Sequence, residues 1–218
     1  VRQQFLESLG FRVLRFTNDQ VNNDLEGVVK RISAALREKK QAFSPEDIFY
    51  YVYAVLYADT YREKYAEFLK IDFPRIPFTA DFELFQALAA LGKRLVDLHL
   101  LGSEELDPPA ARFQGQGDSR VARTQSQGFR YEPEEERVYI NVAQYFAPVP
   151  LELWEYQIGG YQVLAKWLKD RKERRLTLEE IKTYCRVVTA IQRTIALQEE
   201  IDALYLRAEN SLVEMDIT

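Results

Sequence analysis

Cysteine, histidine and methionine each occur once in 218 residues, and each scarcity excludes a class of chemistry. A single cysteine forms no internal disulfide, which fits a reducing cytoplasm. One cysteine and one histidine cannot build a Cys/His zinc site, and one histidine leaves no convincing Ser/His/Asp or Cys/His catalytic set. No window holds the roughly 18 apolar residues of a membrane span. The start, Val1-Arg2-Gln3-Gln4, lacks the basic and apolar stretches of a secretory signal. Without an initial methionine, the sequence is expected to be a fragment or a processed product. An excess of positive charge is also missing: the net charge of −5 argues against a strongly basic nucleic-acid binder. What remains is an ordinary globular composition, 47% hydrophobic and 29% charged.

The order of elements along the chain predicts an α+β fold, mostly helical. A small antiparallel sheet is expected around residues 120–158, and a helix–strand–helix remnant at the N-terminus. Residues 1–36 form that remnant: a helix over Arg2–Leu9 stopped by Gly10, a strand over Phe11–Phe16, a turn at Thr17-Asn18-Asp19 and a helix carrying Val21, Leu25, Val28, Val29 and Ile32. Residues 37–43 read as a linker, 44–208 as the main domain and 209–218 as a tail. Ser44-Pro45-Glu46-Asp47 is a helix start, with Ser as N-cap and Pro at N1. Thr60-x-x-Glu63 has the form of a capping box opening a second helix to about Leu69. Phe73–Pro77 should be extended, and Ala80–Leu100 an amphipathic helix. Residues 102–127 form a polar loop with a short strand near Val121. Phe129–Tyr131 and Arg137–Asn141 flank an acidic turn as a β-hairpin, Glu152–Ile158 alternates as a further strand, and helices follow over 161–172 and 176–206.

Several features imitate active sites. Asp107-Pro108-Pro109-Ala110 resembles the D-P-P-aromatic motif of amino-methyltransferases, but Ala110 cannot stack on a base. Glu38-x-Lys40 and Glu180-x-Lys182 imitate half of a nuclease site in helical or linker surroundings. His99 reads as a packed or helix-capping residue, Cys185 as a small core residue, and Trp154 and Trp167 as core anchors. The tyrosine stripe Tyr50, Tyr53, Tyr57, Tyr61 and Tyr65 is either core or a stacking surface for nucleic acid.

Charge is unevenly spread. Residues 160–187 hold eight basic residues against four acids, whereas 188–218 hold two against six. Around this basic stretch the sequence resembles a family. The run Trp154-Glu155-Tyr156-Gln157-Ile158-Gly159-Gly160-Tyr161-Gln162-Val163, continuing through Lys166-Trp167-Leu168-Lys169-Asp170-Arg171-Lys172, is similar to a block of the C-terminal specificity domain of type ISP restriction–modification enzymes and related adenine-specific methyltransferases. Tyr61–Tyr65, Phe68–Pro77 and Arg137–Asn141 agree in the expected order, and the resemblance covers roughly residues 44–203. Lys172-Glu173-Arg174 departs from it, since the family often has Lys-Gly-Arg there. Residues 2–34 resemble the tail of a very-short-patch-repair-type endonuclease, without that family's upstream metal-binding acids.

The resemblance implies a non-catalytic module that reads double-stranded DNA, with no cofactor, no metal and no membrane contact. The methyltransferase, nuclease and translocase portions would lie in cis or on a separate subunit. Phosphate contacts would come from Lys166, Lys169, Arg171, Lys172, Arg174 and Arg175. Base edges would be read by Arg112, Arg120, Arg123, Gln125, Gln127, Arg130, Asn141, Gln144 and Gln162. Gly159-Gly160 lets backbone approach either DNA or a neighbouring strand. The alternatives are an inactive nuclease or methyltransferase remnant, and a helical interaction module using the stripe Ile181, Tyr184, Val188, Ile191 and Ile195.

Overall fold

The computed structural model describes residues 16–35 and 43–211. The expected N-terminal helix and most of the strand after it, and nearly all of the linker, lie outside these residues. The chain divides into two compact units, one of residues 1–96 with 197–218 and one of residues 97–196. The architecture is α+β and mostly helical.

The first unit opens with α1 (Asn18–Asn23) and α2 (Leu25–Ala35). Thr17 caps α1 through a full capping box with Gln20. Helix α3 (Pro45–Tyr57) starts as expected. The Ser44 side chain accepts from the Asp47 amide, the Asp47 carboxylate accepts from the Ser44 amide, and Pro45 sits in the first turn. The second capping box does not form. Helix α4 (Asp59–Lys64) begins two residues earlier, with Ala58 in the N-cap position, and the Thr60 amide and hydroxyl donate to Asp202 at 2.8 and 2.7 Å. A short α5 (Ala66–Leu69) follows after a break at Tyr65.

The tyrosines here are largely structural. Tyr51, which is not on the expected stripe, is fully buried and stacks on Phe85 and Phe78 with centroids 4.9 and 5.1 Å apart. Its hydroxyl donates to the Pro77 carbonyl at 2.7 Å, and that of Tyr61 donates to the Arg75 carbonyl at 2.9 Å. These two bonds hold the Pro-rich extended segment against the helices, because each buried hydroxyl needs a partner and the segment's carbonyls supply it. Most of α6 (Phe82–His99) packs Leu84, Phe85, Leu88 and Leu95 into the same core. Helix α9 (Leu178–Glu209) contributes Ile201, Tyr205 and Ala208 near its C-terminal end.

The second unit is built on a four-stranded antiparallel sheet. Its strands are β1 (Arg112–Gln114), β2 (Arg130–Glu132), β3 (Arg137–Tyr139) and β4 (Tyr145–Ala147), in the spatial order β1-β4-β3-β2. The hairpin β2–β3 is the one expected, with Tyr131 opposite Val138. Strand β1 lies in the segment expected to be loop. It pairs with β4, Phe113 opposite Phe146, and was hidden because three residues carry too little alternation. Residues 151–158 correct another expectation. Leu151–Glu155 is a helical turn, α7, and only Gln157–Ile158 (β5) is extended, pairing with Tyr161–Gln162 (β6). Pro150 supplies an extended residue just before that turn, and Leu153 is buried inside it.

Helix α8 (Val163–Lys169) and the first part of α9 close the core over Val121, Val138, Ile140 and Phe146. On α9, Tyr184, Val188 and Ile191 are buried in this cluster, with Ile181 and Ile195 packed against it. The stripe that suggested a coiled coil is therefore spent inside its own unit. Trp154 stacks on Tyr131 at 5.1 Å, and Trp167 packs against Tyr184.

His99 donates to or accepts from the Thr194 hydroxyl at 2.9 Å, and burial holds its imidazole below the ordinary value of 6.5. The folded state then prefers the neutral ring, so the unfolded chain binds the proton first. Stability is complete above about pH 6.5 and should fall as pH drops below it, by up to about 1.4 kcal/mol per unit. Thermal unfolding of the wild type and His99→Gln across pH 5–8 checks this. The two should run parallel at high pH, and only the wild type should show this drop.

Candidate nucleic-acid interface

Three segments come together at one edge of the second unit. The loop 119–122 lies between the turn 171–176 and the turn 140–144. On one side the Val121 amide donates to the Arg174 carbonyl (2.9 Å), the Glu173 amide to the Val121 carbonyl (2.8 Å) and the Leu176 amide to the Ser119 carbonyl (2.9 Å). On the other the Ala122 amide donates to the Ile140 carbonyl at 2.7 Å. The strand expected near Val121 is thus an isolated antiparallel bridge between Arg120 and Arg175.

The far turn is held by side chains. Asn141 Oδ1 accepts from the amides of Ala143 and Gln144, while its Nδ2 donates to the Arg120 carbonyl and to Gln144 Oε1. Gln144 is 3% exposed, and its Oε1 also accepts from the Ser119 amide. Gly128, at φ +98°, ends a 3₁₀ turn over Gln125–Gln127, and a Cβ there would lie 2.3 Å from the Val142 nitrogen. Only glycine permits this approach of loop to turn.

Between the segments lies an open cleft of about 440 Å³, lined by residues 116–118, 120–123, 127, 141–144 and 173. Five of the nine expected base-reading residues line it: Arg120, Arg123, Gln127, Asn141 and Gln144. Their roles differ. Gln144 is nearly buried, and its Oε1 is committed to the Ser119 amide and to Asn141. Asn141 has its amide engaged in the same way. Gln127 Oε1 accepts from the Arg123 amide. Arg120 donates to the Glu173 carbonyl at 2.8 Å and lies 3.6 Å from Asp118. Among the described residues the Arg123 guanidinium makes no ion pair. Arg112 on β1, Gln125, Arg130 and Gln162 on β6 lie outside the cleft lining, and Arg130 stacks over Tyr139 at 3.8 Å.

The six phosphate candidates separate in the same manner. Arg171 is engaged within the fold. Its Nε reaches Glu180 at 3.2 Å, its Nη1 donates to the Trp167 carbonyl at 2.9 Å, and the guanidinium lies 3.6 Å from the Trp167 ring centroid. Arg174 also pairs with Glu180, Arg175 with Asp118 at 3.1 Å, and Lys166 with Asp170. The Thr177 amide, with Arg171 and Arg174, holds the Glu180 carboxyl below its ordinary value. The Arg120 amide, with Arg175 and Arg120, does the same for Asp118. Lys169 and Lys172 are exposed and make no ion pair among the described residues, Lys172 lying 5.9 Å from the Phe129 ring. Exposed pairs such as that of Arg175 are worth only ~0–1 kcal/mol, so a phosphate can displace them.

Two cleft residues escaped the sequence reading. Val142 is 75% exposed at the turn, and Glu173 sits at φ +63°. The signal for Glu173 was present in Lys172-Glu173-Arg174, where an acid stands in place of the family's usual glycine. Glu38-x-Lys40 lies outside the described residues, and the other decoys resolve as structure. Asp107 pairs with Arg186, the Ala110 amide donates to Thr189, and Lys182 pairs with Glu179. Among the described residues no cluster of three His, Cys, Asp or Glu forms, and no helix is long and apolar enough to cross a membrane. Gly159 and Gly160 form the turn between β5 and β6 at positive φ, and no atom lies within 4 Å of a Cβ built at either.

The family model of the Type ISP C-terminal specificity domain matches residues 10–202. The chain belongs to this family. No curated protein sequence matches the specificity domain. Three solved structures share its fold. A nuclease-deletion mutant of the Type ISP restriction–modification enzyme LlaGI, in complex with a DNA substrate mimic, is 24% identical with a TM-score of 0.53, over 74% of this chain and 14% of that one. The DrdV–DNA complex is 24% identical with a TM-score of 0.62, over 80% and 19%. The ATP-dependent Type ISP restriction–modification enzyme LlaBIII bound to DNA is 20% identical with a TM-score of 0.56, over 87% and 12%. The specificity domain therefore spans less than a fifth of the length of each.

Proposed function

We infer that this specificity domain is a non-catalytic DNA target-recognition module of a restriction–modification enzyme. The observation that carries this reading is the convergence at one cleft. Arg123, which makes no ion pair among the described residues, and Arg120, paired with Asp118, lie within it, while the basic turn 171–175 forms its border. Arg123 suits the O6/N7 edge of guanine, Val142 a thymine methyl, and Lys169 and Lys172 the phosphates that set register. DNA accompanies the three solved structures described above, and each of those chains is far longer. Methyl transfer, translocation and cleavage would then belong to other portions, in cis or on a separate subunit, acting on DNA in the cytoplasm. Residues 2–34 resemble an endonuclease tail without its metal-binding acids, and no nuclease activity is assigned to them.

The test is selection of duplexes from a random-sequence pool by the 218-residue chain. A consensus of a few base pairs is expected. A bound pool indistinguishable from the input would contradict the reading. Arg123→Ala should relax the consensus at one position at a cost of about 1–3 kcal/mol in discrimination, leaving stability within about 0.5 kcal/mol.

A further inference from the structure

Glu173 occupies the cleft lining in a left-handed backbone conformation. Its backbone is pinned there from both sides: the amide donates to the Val121 carbonyl and the carbonyl accepts from Arg120 Nη1. Glycine takes this conformation without penalty, whereas a residue with a Cβ resists it. The turn itself does not need the side chain. Among the described residues the Glu173 carboxylate has no hydrogen bond and no ion pair, although Arg120, Arg171, Arg174 and Arg175 all stand nearby in the chain or the fold. Those four are engaged by Asp118, Glu180 or main-chain carbonyls. An acid that is conformationally strained, unpaired and set among arginines at a cleft is placed for a ligand rather than for the fold.

Building on the DNA-reading function, we propose that Glu173 is a specificity-determining residue that accepts a hydrogen bond from the exocyclic amino group of a cytosine. A carboxylate offers only acceptors and repels phosphate, so its partner in a duplex must be a base-edge donor. In the major groove the donors are the cytosine N4 and adenine N6 amino groups. Adenine places the N7 lone pair beside its amino group, which suits an amide and opposes a carboxylate. Cytosine places a C–H there, so a carboxylate meets no repulsion. Glu173 then also acts against wrong partners, because an unmatched carboxylate held at the groove penalises every base that presents an acceptor.

The experiment is the same random-duplex selection run with the wild type, Glu173→Gly and Glu173→Gln. Glycine suits the backbone at this position, and glutamine preserves the side-chain shape, so both variants keep the fold. The wild type should prefer C·G at one position by about tenfold. Glu173→Gly should lose that preference alone, and Glu173→Gln should shift it toward adenine, whose N6 and N7 match an amide. Variants that bind all duplexes more tightly with the consensus unchanged would overturn the proposal and leave the domain's DNA-reading function standing. A wild type that enriches no consensus would overturn both.

Discussion

Replacing Gly128 with alanine is expected to destabilise the second unit by about 2–5 kcal/mol and to abolish selective DNA binding. The left-handed φ costs a residue with a Cβ about 1–2 kcal/mol. The new Cβ would also meet main-chain atoms of Asn141 and Val142 at 2.3–2.8 Å, which no side-chain rotation relieves. Overpacking of this kind adds about 1–3 kcal/mol. The displaced segment carries Arg123 and Gln127 on one wall and Val142 on the other, so the cleft opens as the strain is relieved. Gly159→Ala is the matched control. Its φ of +58° carries the conformational penalty, but open space surrounds its Cβ, so the loss should stay near 1 kcal/mol. Denaturant unfolding of the two variants beside the wild type gives the comparison. Equal losses would show that the approach of loop to turn is not tight.

Arg171→Ala should behave as a structural substitution although the residue lies in the basic run. It removes a stacked guanidinium from Trp167, a bond to the Trp167 carbonyl and a pair with Glu180, whose side chain is only 20% exposed. A stacked cation contributes about 0.5–2 kcal/mol and a charged hydrogen bond about 1.5–3. A net loss of about 2–3 kcal/mol follows. Lys169→Ala should leave stability within about 0.5 kcal/mol and instead lower the salt slope of DNA binding by about 0.9. Six free phosphate contacts would weaken binding by about a thousandfold between 50 and 200 mM salt, whereas two would weaken it by about tenfold. Of the six phosphate candidates, Lys169 and Lys172 alone make no ion pair among the described residues, so a shallow slope is expected of this chain. A steep one would show that the paired arginines exchange their acids for phosphates.

How much of the fold is legible in the sequence depends on how each feature is encoded. Long amphipathic helices, the Ser44 cap and the β2–β3 hairpin were legible, because each carries several residues of one period or a local cap. Strand β1 and the 151–158 segment were not, since two- and three-residue elements are set by tertiary partners. The cleft's members were legible as residue types, Arg and Gln on a polar loop, but not as roles. Nothing local distinguishes Gln144, which builds the turn, from Gln127 on the cleft wall, or Arg171, locked on Trp167, from Arg123. Burial and pairing make those distinctions, and both depend on segments far apart in sequence. Glu173 was visible only as a departure from a pattern until its φ gave the departure a physical meaning.

The single cysteine offers the most direct test of where DNA lies. Cys185 is buried, and burial pushes its thiol up to about 11, so it resists labelling near neutral pH. A photo-crosslinker can therefore be attached at one introduced cysteine, Gln125→Cys beside the cleft or Glu67→Cys on the other unit. Both positions are exposed. With a duplex enriched from the random pool, the probe at position 125 should crosslink and the probe at position 67 should not. Crosslinking from position 67 with none from position 125 would contradict the assignment of the cleft as the DNA-reading surface.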